Sequence, residues 1–426
     1  VVATATGSRT AVPGAYWAWL GGTALSLVGV QAMAFAMAWV AAGQGGRFAA
    51  LVLTAINLPR ALLLLIGGAV ADRVGAWPVM IISDAAMVVV TGSLAVAAWS
   101  AADPRLPLLL TALAIGIVDA FYLPSAGSMP RRLVPPAALA RAMSARQMAG
   151  QLALFAGPPL GSLILAAAGL AGVALANAAS FLMVLSVLLL LRPRVDGPSP
   201  HDTGPREVSP REVDPREVGS SGRVPDPVWR ASLDGLRIAA SHPALRPALL
   251  VTSVAAGFLL PVSGLLVPLL ARERAWSPQA TGAVVAAVAL GTAIVAVTVL
   301  VRGALSRPGM AAAAGLLVSA TGVAVLAVGR PQLWAVVAGA AIGVGSGVFA
   351  THIGPLILAA TPVTHLARVQ SVVVLVQSLP LLLTTNVLGS LADAVSVPAV
   401  LYACAGVLAT TALAALTSPA LRQRST

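Results

Sequence analysis

Residues 16–42 read YWAWLGGTALSLVGVQAMAFAMAWVAA, without one charged side chain. A helix needs about 20 apolar residues to cross a hydrocarbon core about 30 Å thick. A stretch this apolar has too few polar side chains to face water. Inside a bilayer, helix satisfies every backbone N–H and C=O within the segment. A barrel strand would alternate polar and apolar residues over about ten positions, and this run does not. A membrane-spanning helix is the reading that remains. Eleven further runs of the same kind follow at 48–71, 78–100, 106–128, 142–168, 170–191, 247–270, 279–301, 310–328, 333–360, 369–393 and 397–416. Composition agrees, with 58% hydrophobic residues, 9% charged residues and a mean hydropathy of +0.92. The fold class expected is an all-α integral membrane protein, with twelve transmembrane helices in two six-helix bundles.

The division into six and six comes from residues 193–228, where the apolar pattern breaks. A five-residue repeat runs Pro205-Arg-Glu-Val-Ser, Pro210-Arg-Glu-Val-Asp, Pro215-Arg-Glu-Val. Proline at every fifth position blocks regular helix, and the acids nearly balance the bases. We therefore expect an N-terminal bundle over 1–192, a flexible cytoplasmic linker over 193–228 and a C-terminal bundle over 229–426. Trp229, Leu233 and Leu236 fall on one side of a helical wheel, away from Arg230, Asp234 and Arg237. That spacing predicts a short amphipathic lead-in helix on the inner membrane surface.

Arginine sets the orientation. The formal net charge is +12, and all 26 basic residues are arginine. Most fall in the loops on the side of the two termini, among them Arg73, Arg131, Arg132, Arg141, Arg146, Arg302 and Arg307. The positive-inside rule then places both termini in the cytoplasm and the chain in the inner (plasma) membrane. Nucleic acid is not an expected partner, because the arginines occupy short loops without an aromatic and basic groove. Anionic lipid is. Eight tryptophans near span ends suggest aromatic belts at both interfaces. The single cysteine, Cys404, cannot form an intrachain disulfide, and no metal-ligand spacing occurs. No metal or cofactor is expected. The first apolar run is too long for a cleavable signal peptide, and Val1 fits a start codon other than ATG, so a native N-terminus is expected.

Several short motifs carry a family resemblance. Between spans 2 and 3 stands Gly68-Ala-Val-Ala-Asp72-Arg73-Val-Gly75. It resembles the G-x-L-A-D-R-x-G-R-K/R motif of the major facilitator superfamily. Two basic residues that usually follow are Ala76 and Trp77 here. The resemblance implies a gate at the inner mouth: Asp72 capping neighbouring helix ends, Arg73 pairing with acids or carbonyls, and Gly68 admitting a close helix. Gly157-Pro158-Pro159-Leu160-Gly161-Ser162 in span 5 resembles that superfamily's antiporter motif, which ends G-P-x-x-G-G. Ser162, Ala153 and Ser144 replace three of its glycines. Asn57-Leu-Pro59-Arg60, Gly116-Ile-Val-Asp119-Ala-Phe121-Tyr122 and Asn177-Ala-Ala-Ser-Phe181 look like the subgroup containing macrolide-efflux and enterobactin-export proteins. Leu233-Asp-Gly-Leu-Arg237, followed by Ser241-His-Pro243, does too.

Ionisable groups inside the spans are few. Arg60 lies roughly 18 Å from the inner end of span 2, and Asp119 lies at a similar depth in span 4. An unpaired charge near the midplane is costly, so the two are expected to pair, with Asp84 of span 3 an alternative partner. Such a pair either fixes the N-terminal half or carries a coupling proton when it opens. His352 in span 10 can titrate near neutrality or serve as a hydrogen-bonded packing group. The family geometry implies a central cavity lined by Gln31, Phe35, Tyr122, Gln151, Ser253, Ser263, Thr351, Gln377 and Asn386. Gly343-Val-Gly-Ser-Gly347 follows no strand and lacks lysine, so it reads as a packing stripe rather than a phosphate loop.

Without a P-loop, ATP is not a direct energy source, and the expectation is a secondary transporter rather than an enzyme. The subgroup resemblance implies a monomeric antiporter: proton-coupled efflux of amphipathic small molecules, hence multidrug resistance. A dedicated exporter of one siderophore or antibiotic, a lipid translocase and a non-transporting sensor are the alternative expectations.

Overall fold

The computed structural model describes residues 12–100, 103–195, 245–328, 331–361 and 366–418. Almost all of them are helical. The N-terminal half contains α1 (Gly14–Ala42), α2 (Gly46–Val74), α3 (Ala76–Ser100) and α4 (Arg105–Leu133). A continuous stretch Leu139–Val195 then breaks at Gly169 into α5 (139–168) and α6 (170–195). Gly169 has φ 65° and ψ −168°, a region that a side chain with a Cβ avoids, so the chain reverses there within one residue. The C-terminal half contains α7 (Leu245–Glu273), α8 (Pro278–Arg302), α9 (Pro308–Val328), α10 (Gln332–Ala359), α11 (Leu366–Ala394) and α12 (Val397–Thr417). Eleven helices among the described residues are long and apolar enough to cross a membrane, and the break at Gly169 makes twelve spans. The protein is a multi-pass membrane protein of two six-helix bundles. The expected linker and lead-in helix lie outside the described residues, apart from the last turn of α6.

Helix ends follow from local chemistry. Ser277 caps α8 by accepting from the N–H of Ala280, and Ser396 caps α12 through Ala399. Proline stands in the first turn of both. Gly75, with φ 97°, ends α2 and allows α3 to start at once. In α7, Pro261 and Pro268 bracket a π-helical turn, Val262–Leu266. Proline removes backbone donors, and the ladder widens locally to absorb the loss.

Within each bundle, small residues let helix backbones touch. A Cβ on Gly116 of α4 would strike the carbonyl of Ile56 on α2, and one on Gly67 of α2 would strike that of Ala120 on α4. The motif glycine expected to admit a neighbour, Gly68, instead has open space around it. One residue of helix turns a side chain by about 100°, which moves the seam from Gly68 to Gly67.

The aromatic-belt expectation needs a similar correction. Trp17, Trp99 and Trp334 are exposed, but Trp19, Trp39, Trp77 and Trp276 are buried inside the protein. Position along the chain gave their depth but not the side they face.

Between the bundles, close contacts join α2 to α11 and α5 to α8. Gly46 and Gly389 meet backbone to backbone, and Gly282 of α8 receives Ser162 and the carbonyl of Pro158. All of these residues lie in the membrane half away from the termini.

The seam gives a paired expectation for thermal unfolding in detergent. Gly116→Val should cost about 1–3 kcal/mol by overpacking. Gly68→Ala should stay within about 0.5 kcal/mol of the parent.

Candidate functional site

The bundles enclose a central cavity of about 560 Å³, within the usual range for a small-molecule site. Its walls come from the middles of α1, α5, α7, α8, α10 and α11. Five of the expected lining residues stand there: Gln31, Phe35, Gln151, Ser263 and Gln377. Thr252, Thr292 and Ser346 add polar groups that the sequence reading missed. Ser263 sits in the π turn of α7, whose widened ladder re-aims side chains. Among the described residues lining the cavity, none is charged.

Four expected lining residues are elsewhere. Tyr122 packs against a buried cluster beneath α1, α3 and α6. Ser253 stands one residue past Thr252, which takes the cavity position. Thr351 returns its hydroxyl to the carbonyl of Gly347 at 2.8 Å, one turn from Ser346 on the cavity wall. Asn386 donates to the Thr54 hydroxyl at 2.7 Å, joining α11 to α2 across the two bundles. Each miss is a matter of helical phase, because a period of 3.6 residues places the apolar face but not its rotation against five neighbours.

Arg60 and Asp119 do meet. Arg60 Nη1 lies 3.4 Å from Asp119 Oδ2, and both residues stand at the centres of their helices. The side chains are half-buried, at 35% and 24% exposure. The two glycine contacts of the α2–α4 seam flank the pair along the helices and hold the backbones close. Asn57 completes it, accepting from Arg60 Nη2 while donating to the carbonyl of Leu53. Sequence reasoning quoted Asn57 without giving it a role; its i, i+3 spacing to Arg60 is the signal. The alternative partner, Asp84, is fully buried on α3 and takes no part in this pair.

His352 does not face the cavity. Its Nε2 accepts from the N–H of Leu305 at 3.1 Å, while Nδ1 stands 2.8 Å from the carbonyl of Val348. One neutral tautomer satisfies both contacts, tying α10 to the α8–α9 connection.

Asp72 and Arg73 are exposed at the membrane face that carries the termini, with no hydrogen bond or ion pair among the described residues. On the opposite face the bundles are latched. Asp393 at the end of α11 accepts from the backbone N–H groups of Gly46 at 2.5 Å and Arg47 at 2.8 Å, capping α2 across the interface. Arg272 at the end of α7 donates to the carbonyl of Trp39 through Nε and Nη2, at 3.2 and 3.1 Å. Its guanidinium also stacks 4.2 Å above the Trp39 ring. The cleft is therefore closed on the face away from the termini.

The comparisons agree with this architecture. The model of the Major Facilitator Superfamily matches residues 19–385. The chain belongs to that superfamily. It is a secondary active transporter and not an enzyme. No curated protein sequence matches it. Among solved structures, a peptide transporter in complex with sulfate is similar at a TM-score of 0.70 and 15% identity, covering 96% of this chain and 95% of that one. A POT family transporter in complex with 5-aminolevulinic acid reaches 0.71 at 13%, with 96% of each chain covered. The nucleoside transporter NupG reaches 0.67 at 12%, covering 95% and 99%.

Those structures overturn the expected subgroup. The solved structures that share its fold are named as peptide and nucleoside transporters, not as macrolide-efflux or enterobactin-export proteins. Drug efflux, siderophore or antibiotic export, lipid translocation and the antiporter assignment fall with them. The physical reason lies in what the motifs do. Asn57, Arg60, Gly116 and Asp119 build a helix seam and its charge pair, which specify packing rather than a substrate. Gly157 and Gly161 let α5 touch α1 at Gln31 and Ala32, and Ser162 fits against Gly282. Pro158 lines the cavity.

The latch can be tested without a substrate. Asp393→Ala removes two charge-assisted bonds to a helix N-terminus, worth about 1–2 kcal/mol. A cysteine placed at Ala38 should then label from the face away from the termini about tenfold faster.

Proposed function

We propose that this chain is a proton-coupled symporter of a small uncharged solute rich in amide or hydroxyl groups, of nucleoside or blocked-dipeptide size. The carrying observation is the separation of charge from cavity. Gln31, Gln151, Thr252, Ser263, Thr292, Ser346 and Gln377 offer donors and acceptors in an otherwise apolar wall. An ionised solute would lose its hydration there without gaining a counter-charge. Arg60 and Asp119 stand outside that wall. Proton and solute then occupy different sites and can be carried in one step. Exchange by direct competition needs a shared site. The nucleoside transporter that shares the fold supports the reading of an uncharged solute, whereas the peptide-transporter structures hold ionised ligands and support only the small size.

In the proposed cycle, Asp119 takes the coupling proton when its pair with Arg60 opens, and Arg60 holds it ionised at other times. Asp72 and Arg73 would form the second gate, closing the terminal face when Asp393 and Arg272 let go. The solute moves by alternating access of the two bundles. The single-chain transporter, working as a monomer, needs no further partner than solute, proton and lipid.

Proteoliposomes containing the full chain test this with panels of nucleosides and blocked dipeptides. Solute uptake should bring protons in the same direction. Asp119→Asn should abolish that proton movement yet keep solute exchange, because the cavity groups remain. Proton movement opposite to solute, or undiminished in Asp119→Asn, would reject the coupling scheme. Arg60→Ala should cost about 1–3 kcal/mol of stability, less than at a fully buried pair because both side chains are partly exposed. The double variant Arg60→Gln/Asp119→Asn should recover much of it.

Gln31→Ala and Gln377→Ala should each raise KM about tenfold, the loss of roughly one hydrogen bond. Adding a carboxylate to an accepted solute should abolish its competition.

A further inference from the structure

Asp84 lies on α3, about two turns from the terminal face, and is fully buried. Neither carboxylate oxygen has a hydrogen-bond partner among the described residues. Its surroundings are not apolar. The Tyr122 phenol of α4 is beside it, and Thr23 of α1 is beside that phenol. The Thr23 hydroxyl is buried without a partner. So are the indole N–H groups of Trp19 and Trp77, which belong to the cluster that Tyr122 packs against. Three unmet donors and one unmet carboxylate therefore lie within the same bundle. Buried polar groups are nearly always bonded, and a group of orphans calls for water or a proton.

Resting on the symport reading above, we propose that Asp84, Tyr122 and Thr23 form a second proton-binding site inside the N-terminal bundle, distinct from the Arg60–Asp119 pair. Asp84 is the group that binds. A proton from bulk water adds to its carboxylate to give a neutral carboxyl, and returns to water on release. Tyr122 is half-buried and neighbours Asp84, so its hydroxyl is the group assigned to pass the proton on. Thr23 orients that hydroxyl. The other charged groups near Tyr122 are Arg146 of α5 and Asp119 of α4, the latter occupied by Arg60. A metal cation fits less well than a proton, because an indole N–H can only donate and would face it with the wrong sign.

The site can be read without any solute. Infrared difference spectra of the reconstituted full chain are recorded across pH for the parent, Asp84→Asn and Asp119→Asn. The carbonyl stretch of a protonated carboxyl should grow on acidification in the parent and in Asp119→Asn. The Asp84 component of that band should be missing from Asp84→Asn. Tryptophan fluorescence should change over the same pH range, through Trp19 and Trp77. Tyr122→Phe should keep the band but slow its hydrogen–deuterium exchange. If Asp84→Asn does not fold, Asp84→Glu should move the band while retaining its pH dependence. A band undiminished in Asp84→Asn, or one that ignores pH in the parent, would overturn the site. A fluorescence change driven by sodium at fixed pH, with no carboxyl band, would replace it with a cation site. Solute-driven proton flux is scored separately. A band specific to Asp84 in a parent without such flux leaves the site standing and removes the symport reading.

Discussion

The first peptide N–H groups of α2 have no acceptor inside their own helix, and Asp393 of the other bundle supplies one. That contact joins the two bundles at the face away from the termini. A carboxylate at a helix N-terminus meets both the unpaired donors and the positive end of the helix dipole. Because donor and acceptor sit on different bundles, the bond exists only while that face is closed. Arg272 on the Trp39 carbonyl acts at the matching C-terminal end of α1, where a cation is favoured. Both latches use backbone groups that every helix end leaves unsatisfied. At the other face, Asp72 and Arg73 stand ready at the end of α2 with no partner among the described residues. In the proposed cycle, opening one end and closing the other would exchange one helix-end contact for another.

A second constraint divides the interior by charge. The cavity wall is neutral, while Arg60, Asp119 and Asp84 lie in the body of the N-terminal bundle. Charge in a bilayer is tolerated where another charge, water or a proton offsets it. The α2–α4 seam supplies the first solution, because Gly67 and Gly116 bring the backbones close enough for Arg60 to reach Asp119. Asp84 has no such partner. The C-terminal bundle contributes hydroxyls and amides instead, with Ser263 turned to the cavity by the π turn of α7. A rigid charged half and a neutral half with a locally widened helix are a workable division between coupling and solute binding.

By itself the sequence determined the span count, the six-and-six division and the depth of each ionisable residue. These depend on run length and composition, and the bilayer fixes the length of a helix. It also made Arg60 and Asp119 the expected pair, with Asp84 left as an alternative that only the structure removed. Only the tertiary structure decided which way each helix faces. Gly67 rather than Gly68, Thr252 rather than Ser253 and Ser346 rather than Thr351 are shifts of one to five residues along a helix. A lipid tail is as apolar as a leucine, so the hydrophobic pattern of a span does not mark its protein-facing side. The same ambiguity hid the buried tryptophans and the latch between Asp393 and α2. Residues 393 and 46 are far apart in the chain, and no local periodicity relates the end of one helix to the start of another. Small residues and orphan backbone groups settle those rotations, and they act only once the helices are packed.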